Sequence, residues 1–431
     1  MRAGRLTADV AVVGGGPAGI AAAALAAEAG RRVVLLDAGP RPGGQVWRHT
    51  NRHTLPGLAR RWLERLDRSG ADVRCGAQVV DATASLRLGV EHQGRPLVVE
   101  AGAVVLATGA QELFLPFPGW TLPGVTGVGG AQALLKAGWE VRGKRVAIAG
   151  TGPLLLPVAA ALATAGADLR MVAEQAPAAA VRAFGASLWR SPGRLLQGAA
   201  LRARFASVRY RWGTWVERVD DQGGALRVQW ADGRHRWAEP TDLLCTAGGL
   251  VPSTELARLL GCGLVGGAVA VDELQQTSVP NAYAAGEPTG NTGMEAALVE
   301  GAIAGLVAAG KRGSGAVRKL AVERESHRRF AARVAQAFQP RPELWDRITG
   351  DTILCRCEDV PASALSGGWS VREAKLATRA GMGSCQGRMC GPAVQHLLGS
   401  PPDTVRAPVV PTALGELADL TASLDSPQGA S

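Results

Sequence analysis

An α/β fold with two similar halves is predicted by three observations. Two segments, "ADVAVVGGG" and "GKRVAIAGTG", each run from an apolar strand through a glycine turn toward an alanine-rich helix and a second strand. They lie about 130 residues apart, so each reads as its own βαβ unit. Downstream, four of the seven cysteines fall between Asp351 and Ser400, which sets a small third piece apart. The 431 residues, 47% of them hydrophobic, suffice for two or three cores.

The first strand, "ADVAVV", is continuously apolar, as a strand covered on both faces must be. "GGGPAG" then places Gly14, Gly16 and Gly19 in G-x-G-x-x-G spacing. The first glycine makes the tight turn, the second lets backbone N–H groups approach a pyrophosphate, and the third lets helix and strand pack closely. The helix "PAGIAAAALAAEAG" closes at Gly30 and turns its N-terminus to the phosphate charge. Asp37 ends the next strand, where a carboxylate accepts hydrogen bonds from ribose hydroxyls. This half therefore predicts a bound dinucleotide. "GAVVLATGA", with Ala107, Thr108 and Gly109, is a strand entering a glycine turn, and "TDLLCTAGG" echoes it.

The second half repeats Gly150, Gly152 and Pro153, but Leu155 stands at the third glycine position and Pro157 falls in the helix's first turns. A leucine there pushes helix and strand apart or forces a shifted turn. Glu174 ends the following strand and could still hold a ribose. A working NAD(P) site, a site for another nucleotide and a merely retained fold all stay open. Two β-rich pieces follow, then "NAYAAGEPTGNTGMEAALVEGAIAGLVAAG", read as strand, glycine turn and helix.

The formal net charge of +10 is spread along the chain and is densest over Lys311–Val334. That run lacks interleaved aromatics and any recognisable module, so no nucleic-acid partner is expected. Glu323 and Glu325 interrupt it, which suits a solvated linker and helix; a docking surface for an acidic partner is the alternative. "MRAGRL" runs straight into the first strand, and Glu28 interrupts the apolar helix that follows, so neither a leader nor a span is expected. The expected location is the cytoplasm, where disulfides are rare and seven cysteines need another account.

Cys355-x-Cys357 and Cys385-x4-Cys390, 27 residues apart, form two close pairs. Four thiolates suffice for a [2Fe–2S] cluster, and tetrahedral zinc is the chemical rival. Zinc ribbons place C-x2-C pairs on hairpins, whereas here one pair is C-x-C and the intervening stretch reads as helical. Gly381, Gly383, Gly387 and Gly391 let backbone N–H groups turn toward sulfur. Cys75, Cys245 and Cys262 read as core residues.

"GPRPGGQVW" after Asp37, the "ATGA" turn and "AAGEPTGNTGMEAALVEG" together resemble the two-dinucleotide-domain flavoproteins that include thioredoxin reductase. The resemblance implies FAD held by Gly14, Gly16, Pro17, Ala18, Gly19, Asp37, Arg41, Gly44, Gln45, Ala107, Thr108 and Gly109. It adds Gly286, Glu287, Gly293, Met294 and Ala297 near the flavin; Glu287 stands where that family has Asp. The redox C-x-x-C of thioredoxin reductases is missing. "RAGMGSCQGRMC", Arg379 to Cys390, resembles the bacterioferritin-associated-ferredoxin type of [2Fe–2S] domain, which implies Cys355, Cys357, Cys385 and Cys390 as ligands.

The combination, with "GTGPLLLPVA" and "GMGSCQGRMC", resembles the FAD-containing subunit of heteromeric amine and amino-acid dehydrogenases, a group with hydrogen cyanide synthase, opine oxidase and D-hydroxyproline dehydrogenase. It implies an electron-transfer subunit beside a second, amine-oxidase-like flavoprotein. It also allows a small third subunit, an FMN between subunits, and a quinone or carrier as acceptor at the inner face of the membrane. No acid/base set for amine oxidation is readable, and the six histidines read as surface or loop positions. A free-standing NAD(P)H-dependent reductase and an iron–sulfur scaffold or redox sensor are the alternatives. The expected domains are FAD-binding over 1–112 and 268–315, second nucleotide-binding over 113–267, a basic linker over 316–350, [2Fe–2S] over 351–400 and a flexible tail over 401–431.

Overall fold

Strands β1 (Gly4–Val13) and β2 (Val33–Asp37) carry unbroken apolar runs over Val10–Val13 and Val33–Leu36. Such runs suit strands covered on both faces. In the computed structural model, which describes residues 3–425, the two pair in parallel, joined by helix α1 (Pro17–Glu28). Helix α2 (Gly57–Arg68) and strands β3 (Asp72–Cys75), β4 (Ala77–Ala82), β5 (Arg87–His92) and β6 (Arg95–Leu106) complete a sheet of order β3-β2-β1-β6-β5-β4. β6 runs parallel to β1; beyond that, its first half pairs antiparallel with β5 and its last three residues pair parallel with Ala282–Ala284.

This sheet belongs to the first of two compact units, which takes the described residues up to Gln111, Val251–Ala331, and those from Thr404. α1 lies against the helix Met294–Ala308 through small residues. A Cβ at Gly301 would fall on the Ala18 carbonyl, and one at Gly305 on that of Ala22. Their four-residue spacing puts both glycines on one helix face.

The second unit spans Glu112–Leu250 and Ala332–Asp403. Its core is a five-stranded parallel sheet in the order Arg209–Trp212, Asp168–Glu174, Arg145–Gly150, Leu243–Ala247, Val125–Gly127. A three-stranded antiparallel meander, Trp215–Asp221, Leu226–Ala231 and Arg236–Thr241, carries the fully buried Trp230. The cysteine-bearing piece has its own small core of Leu354, Val360, Ala374, Ala380, Ala393 and Val394 with two of the cysteines. Its helix Val371–Thr378 starts in a capping box of Ser370 and Glu373.

Several boundaries differ from expectation. Residues 251–267, placed by pattern with the second nucleotide domain, join the first unit, because Leu256, Leu260 and Cys262 pack against Leu88, Val99 and Leu106 of its sheet. The linker over 316–350 is, as the charge pattern suggested, mostly helix, Gly315–Ala337, and Glu325 pairs with Arg329 one turn on. The segment read as helical between the cysteine pairs holds a 3-10 turn, Ala362–Ala364, and helix Val371–Thr378, and a short antiparallel pair of Ile353–Cys355 with Val360–Pro361 precedes them. The tail over 401–431 is not loose where it is described. Helix Leu414–Asp425 buries Leu420 and Leu424 on Val80 and Val98, and Arg87 donates to the carbonyls of Leu424, at 2.5 Å, and Ser423. Residues 426–431 lie outside the described residues.

Candidate functional site

The first glycine loop is shaped by backbone that leaves no room for side chains at two positions and open space at a third. Gly14 has φ +104°, and a Cβ there would strike the Ala107 carbonyl; a Cβ at Gly19 would fall on the Gly14 carbonyl oxygen. Nothing lies within 4 Å of the Cβ position of Gly16, the glycine that lets a pyrophosphate approach. Asp37 accepts hydrogen bonds from the N–H of Gly15 and, at 2.6 Å, of Gly39, which fixes the loop across the end of β2. No side chain among the described residues caps α1, so the first-turn N–H groups at Ala18 and Gly19 keep their capacity for an anion. These features fit an FAD pyrophosphate.

Neighbouring turns close around the loop. Gly43 N–H donates to the Gly15 carbonyl at 2.7 Å, and a Cβ at Gly44 would lie 2.9 Å from Gly16 Cα. Two residues expected at the cofactor also brace their own loop. Arg41 donates to the carbonyls of His49 and Thr50 at 3.3 and 2.7 Å, and Gln45 accepts from Arg48 at 3.1 Å. Thr108 donates its hydroxyl to the Ser253 carbonyl at 2.7 Å, ahead of Gly109 at φ +75°.

Gly286, at φ +79°, begins the second wall of this unit's site, with its Cβ position 3.0 Å from the Ala18 methyl. Glu287 follows on a single 3-10 turn, and burial alone pushes its carboxyl above the usual range. A half-buried carboxyl of this kind suits hydroxyl donors such as a ribityl chain. Glu300, which pattern reading missed, holds the turn. Wholly buried, it accepts from Gly286 N–H at 2.9 Å and the Thr289 hydroxyl at 3.0 Å, and it pairs with Arg328 at 3.3 Å. Its one visible signal was a charge inside the apolar run "AALVEGAIAG". Gly293, at φ +88°, caps the helix that carries Met294 and the buried Ala297.

The second loop departs from the first. Gly150 turns under the Ala247 carbonyl as Gly14 does under Ala107. Leu155 is fully buried, and the helix begins at it; it stands five residues past Gly150, whereas Pro17 stands three past Gly14. The shifted turn is thus the outcome, not a wider gap. Glu174, also wholly buried, accepts from Gly152 N–H at 2.7 Å and Ala176 N–H at 2.8 Å, and burial pushes its carboxyl up to about 7. Pro153 stands in the turn ahead of the helix.

Of the core cysteines, Cys245 and Cys262 are buried, and burial lifts the Cys245 thiol to about 12. Cys75 is a correction: it is half-buried at the end of edge strand β3, in register with Asp37. The other four lie as two pairs, Cys390 beside Cys355 and Cys357 beside Cys385. Cys355 and Cys390 are buried; burial first, then the neighbouring Cys355, pushes the Cys390 thiol up. Cys357 is exposed and held below its usual range by the Cys385 backbone N–H, with Ser384 Oγ at 3.8 Å. A Cβ on Gly383 would collide with Cys357, and Gly381 packs on Gly387 beside Cys390 Sγ. Among the described residues no group of three or more His, Cys, Asp or Glu is positioned as a metal-ion site. The two thiol pairs and their glycine turns are chemically suited to iron–sulfur ligation.

An open glycine cradle closed by an acidic strand end, repeated in altered form in a second unit, defines a protein built on two dinucleotide-binding folds. The chain belongs to the pyridine nucleotide-disulphide oxidoreductase family, whose model matches residues 8–310, and is a flavin-dependent oxidoreductase with FAD as the family's cofactor. It is 34% identical to an opine oxidase subunit of Rhizobium meliloti (strain 1021), over 96% of this chain and 98% of that protein. It is 33% identical to the hydrogen cyanide synthase subunit HcnB of Pseudomonas aeruginosa, over 88% of this chain and 90% of that one. The solved L-proline dehydrogenase from P. horikoshii shares the fold, with TM-score 0.66 and 20% identity, covering 97% of this chain and 80% of that one. Thioredoxin reductase from T. acidophilum also shares it, with TM-score 0.56 and 23% identity over 72% and 99% of the two chains. No helix among the described residues is long and apolar enough to cross a membrane.

Proposed function

We propose that this chain is the FAD- and [2Fe–2S]-bearing electron-transfer subunit of a heteromeric dehydrogenase or oxidase acting on an amine or amino acid of opine, D-hydroxyproline or glycine type. The observation that carries it is near full-length similarity to an opine oxidase subunit in a chain that also brings Cys355, Cys357, Cys385 and Cys390 into two neighbouring pairs. When bound, a flavin takes electrons in pairs and an iron–sulfur centre takes them singly, so the two together convert one mode to the other. The chain's residues would hold these groups: the Gly16 gap and α1 the pyrophosphate, Asp37 the ribose, Glu287 the ribityl hydroxyls, and the four cysteines the iron. Substrate oxidation belongs on this reading to a second flavoprotein subunit, and electrons leave to a quinone or carrier. A small third subunit, with an FMN between subunits, is compatible with it, and the cytoplasm, at the inner face of the membrane, is its setting.

The test is anaerobic. The chain purified alone, with flavin and iron confirmed, receives NADH or NADPH while flavin absorbance and the cluster's EPR signal are followed. No reduction alone, followed by reduction when the co-expressed partner and its amine are added, is the expected result. Fast reduction by a nicotinamide nucleotide alone makes the chain a free-standing reductase and sinks the proposal. Cys385→Ser should strip the iron and leave the flavin, whereas Cys245→Ala should leave both; iron retained in Cys385→Ser removes the cluster from the reading.

A further inference from the structure

We infer that the second glycine loop is filled by the chain's own segment Phe338–Arg341, which stands where the ribose and pyrophosphate of a nicotinamide nucleotide would run and excludes that nucleotide. The inference rests on the function proposed above and deepens it, since it gives the physical reason why electrons enter from another protein. All the residues concerned belong to the second unit.

Three contacts place the segment. The Thr151 hydroxyl donates to the Phe338 carbonyl at 2.8 Å. The Gln175 amide donates to the Thr151 hydroxyl at 2.8 Å and to the Gln339 carbonyl at 3.1 Å. Arg341 N–H returns a bond to the Gln175 carbonyl oxygen at 3.1 Å. Phe338 Cβ lies 4.0 Å from the Cβ position of Gly152, and its ring meets Phe184 edge-on at 5.2 Å between centroids. At the corresponding glycine of the first loop, Gly16, that position is empty.

The donors that a nucleotide would engage are therefore engaged already. Gly152 N–H, which would face the pyrophosphate, is taken by Glu174. Thr151 and Gln175 spend their hydrogen bonds on backbone carbonyls of the segment, which mimic the oxygens of a ribose. Thr151 occupies the place that Gly15 has in the first loop, and a glycine there has no hydroxyl with which to tether anything. A nucleotide would have to displace these hydrogen bonds and an aromatic contact before making its own.

The test uses the FAD-loaded full chain with NADH, NADPH and ADP as probes. Titration calorimetry is combined with hydrogen exchange of the Gly150–Gly152 amides. The expected result is no saturable binding below about 1 mM, a level worth only about 4 kcal/mol, and slow exchange at Gly152 without ligand. Phe338→Gly combined with Gln175→Ala should release the segment, speed exchange at Gly152 and improve ADP binding at least about tenfold, with FAD content unchanged. If that double variant does not fold, Thr151→Gly removes the tether alone and should move exchange and binding the same way. Saturable ADP binding by the unaltered chain with protection of Gly150–Gly152, fast exchange at Gly152 in the unaltered chain, or a folded release variant that gains no binding would each overturn the inference. Binding of ADP without flavin bleaching by NADH overturns the filled loop and leaves the electron-transfer reading intact; bleaching by NADH overturns that reading itself.

Discussion

The two glycine loops begin alike and part at one residue. Gly14 and Gly150 both turn beneath a carbonyl of the neighbouring strand, Ala107 in one unit and Ala247 in the other. At the third position Gly19 lets α1 start at once, whereas Leu155 delays its helix by two residues and buries its side chain in the core. The strand-end acids diverge with the loops. Asp37 reaches the Gly15 amide, and the Gly16 cradle beyond it stays open. Glu174, one methylene longer, reaches Gly152 itself. A dinucleotide fold can thus keep its strands, helix and acid and still lose the space that made it a cofactor site.

The comparison is broken most completely by importing the second loop's residue into the first. Gly19→Leu puts a Cβ on the Gly14 carbonyl, so α1 must move and its N-terminal amides leave the cradle. Flavin retention should fall by about tenfold or more, at least about 1.4 kcal/mol of binding, read as the flavin-to-protein ratio of the purified chain. Retention of full flavin would show that the third glycine does not set the cradle.

Glu300 marks a second asymmetry, because the first unit secures its flavin-side turn with a buried, paired carboxylate. Glu300→Ala strands Arg328 and the Gly286 amide and should cost about 3–5 kcal/mol, seen in urea unfolding with a parallel loss of flavin. Glu300→Gln keeps an acceptor and should cost about 1–3 kcal/mol. Equal losses in the two variants would mean that charge, not hydrogen bonding, holds the turn.

How much of this was legible in the sequence follows from how local each feature is. G-x-G-x-x-G at Gly14, the acid at Asp37 and the apolar strands are patterns a few residues long, and the structure repeats them closely. Leu155 announced an altered second loop, and its consequence, a displaced helix start, follows from sterics. What closes that loop comes from Phe338–Arg341, about 190 residues downstream in a stretch whose composition speaks only of solvated charge. Glu300 was hidden for a related reason: one acid in an apolar helix has no partner until the fold brings Arg328 to it. Arg41 adds a role that no family pattern shows, since its Nη1 also donates to the carbonyls of His49 and Thr50 and so braces the loop it stands on.

Glu174 offers a pH test of the second loop. Its carboxyl is raised by burial from 4.5 to about 7 in the folded chain. Between those values the native state holds a proton that the unfolded state has lost. The group's contribution to stability is therefore whole below 4.5, falls as pH rises through the window, and is gone above about 7. The unaltered chain should lose up to about 3 kcal/mol across this range from Glu174. Glu174→Gln should remove that part of the slope, measured as the difference between the two chains' unfolding free energies at pH 5 and pH 8. Parallel curves would place the carboxylate in solvent and reopen the loop as a nucleotide site.

The smallest effect is the most discriminating. Thr151→Val keeps the shape of a buried side chain while removing the hydroxyl that donates to the Phe338 carbonyl and accepts from the Gln175 amide. Stability should fall by only about 1–2 kcal/mol, since the carbonyl and the amide can find water. Exchange at Gly152 should nevertheless rise, because the segment above it loses its tether while Glu174 below it is untouched. The same change in the first loop, Gly15→Val, meets Asp37 directly, its Cβ position lying 2.6 Å from the carboxylate, and should disturb flavin binding instead of releasing a segment. If both valine variants changed only stability, with neither amide exchange nor flavin content moving, the two loops would be equivalent turns and the difference drawn between them would lie elsewhere in their units.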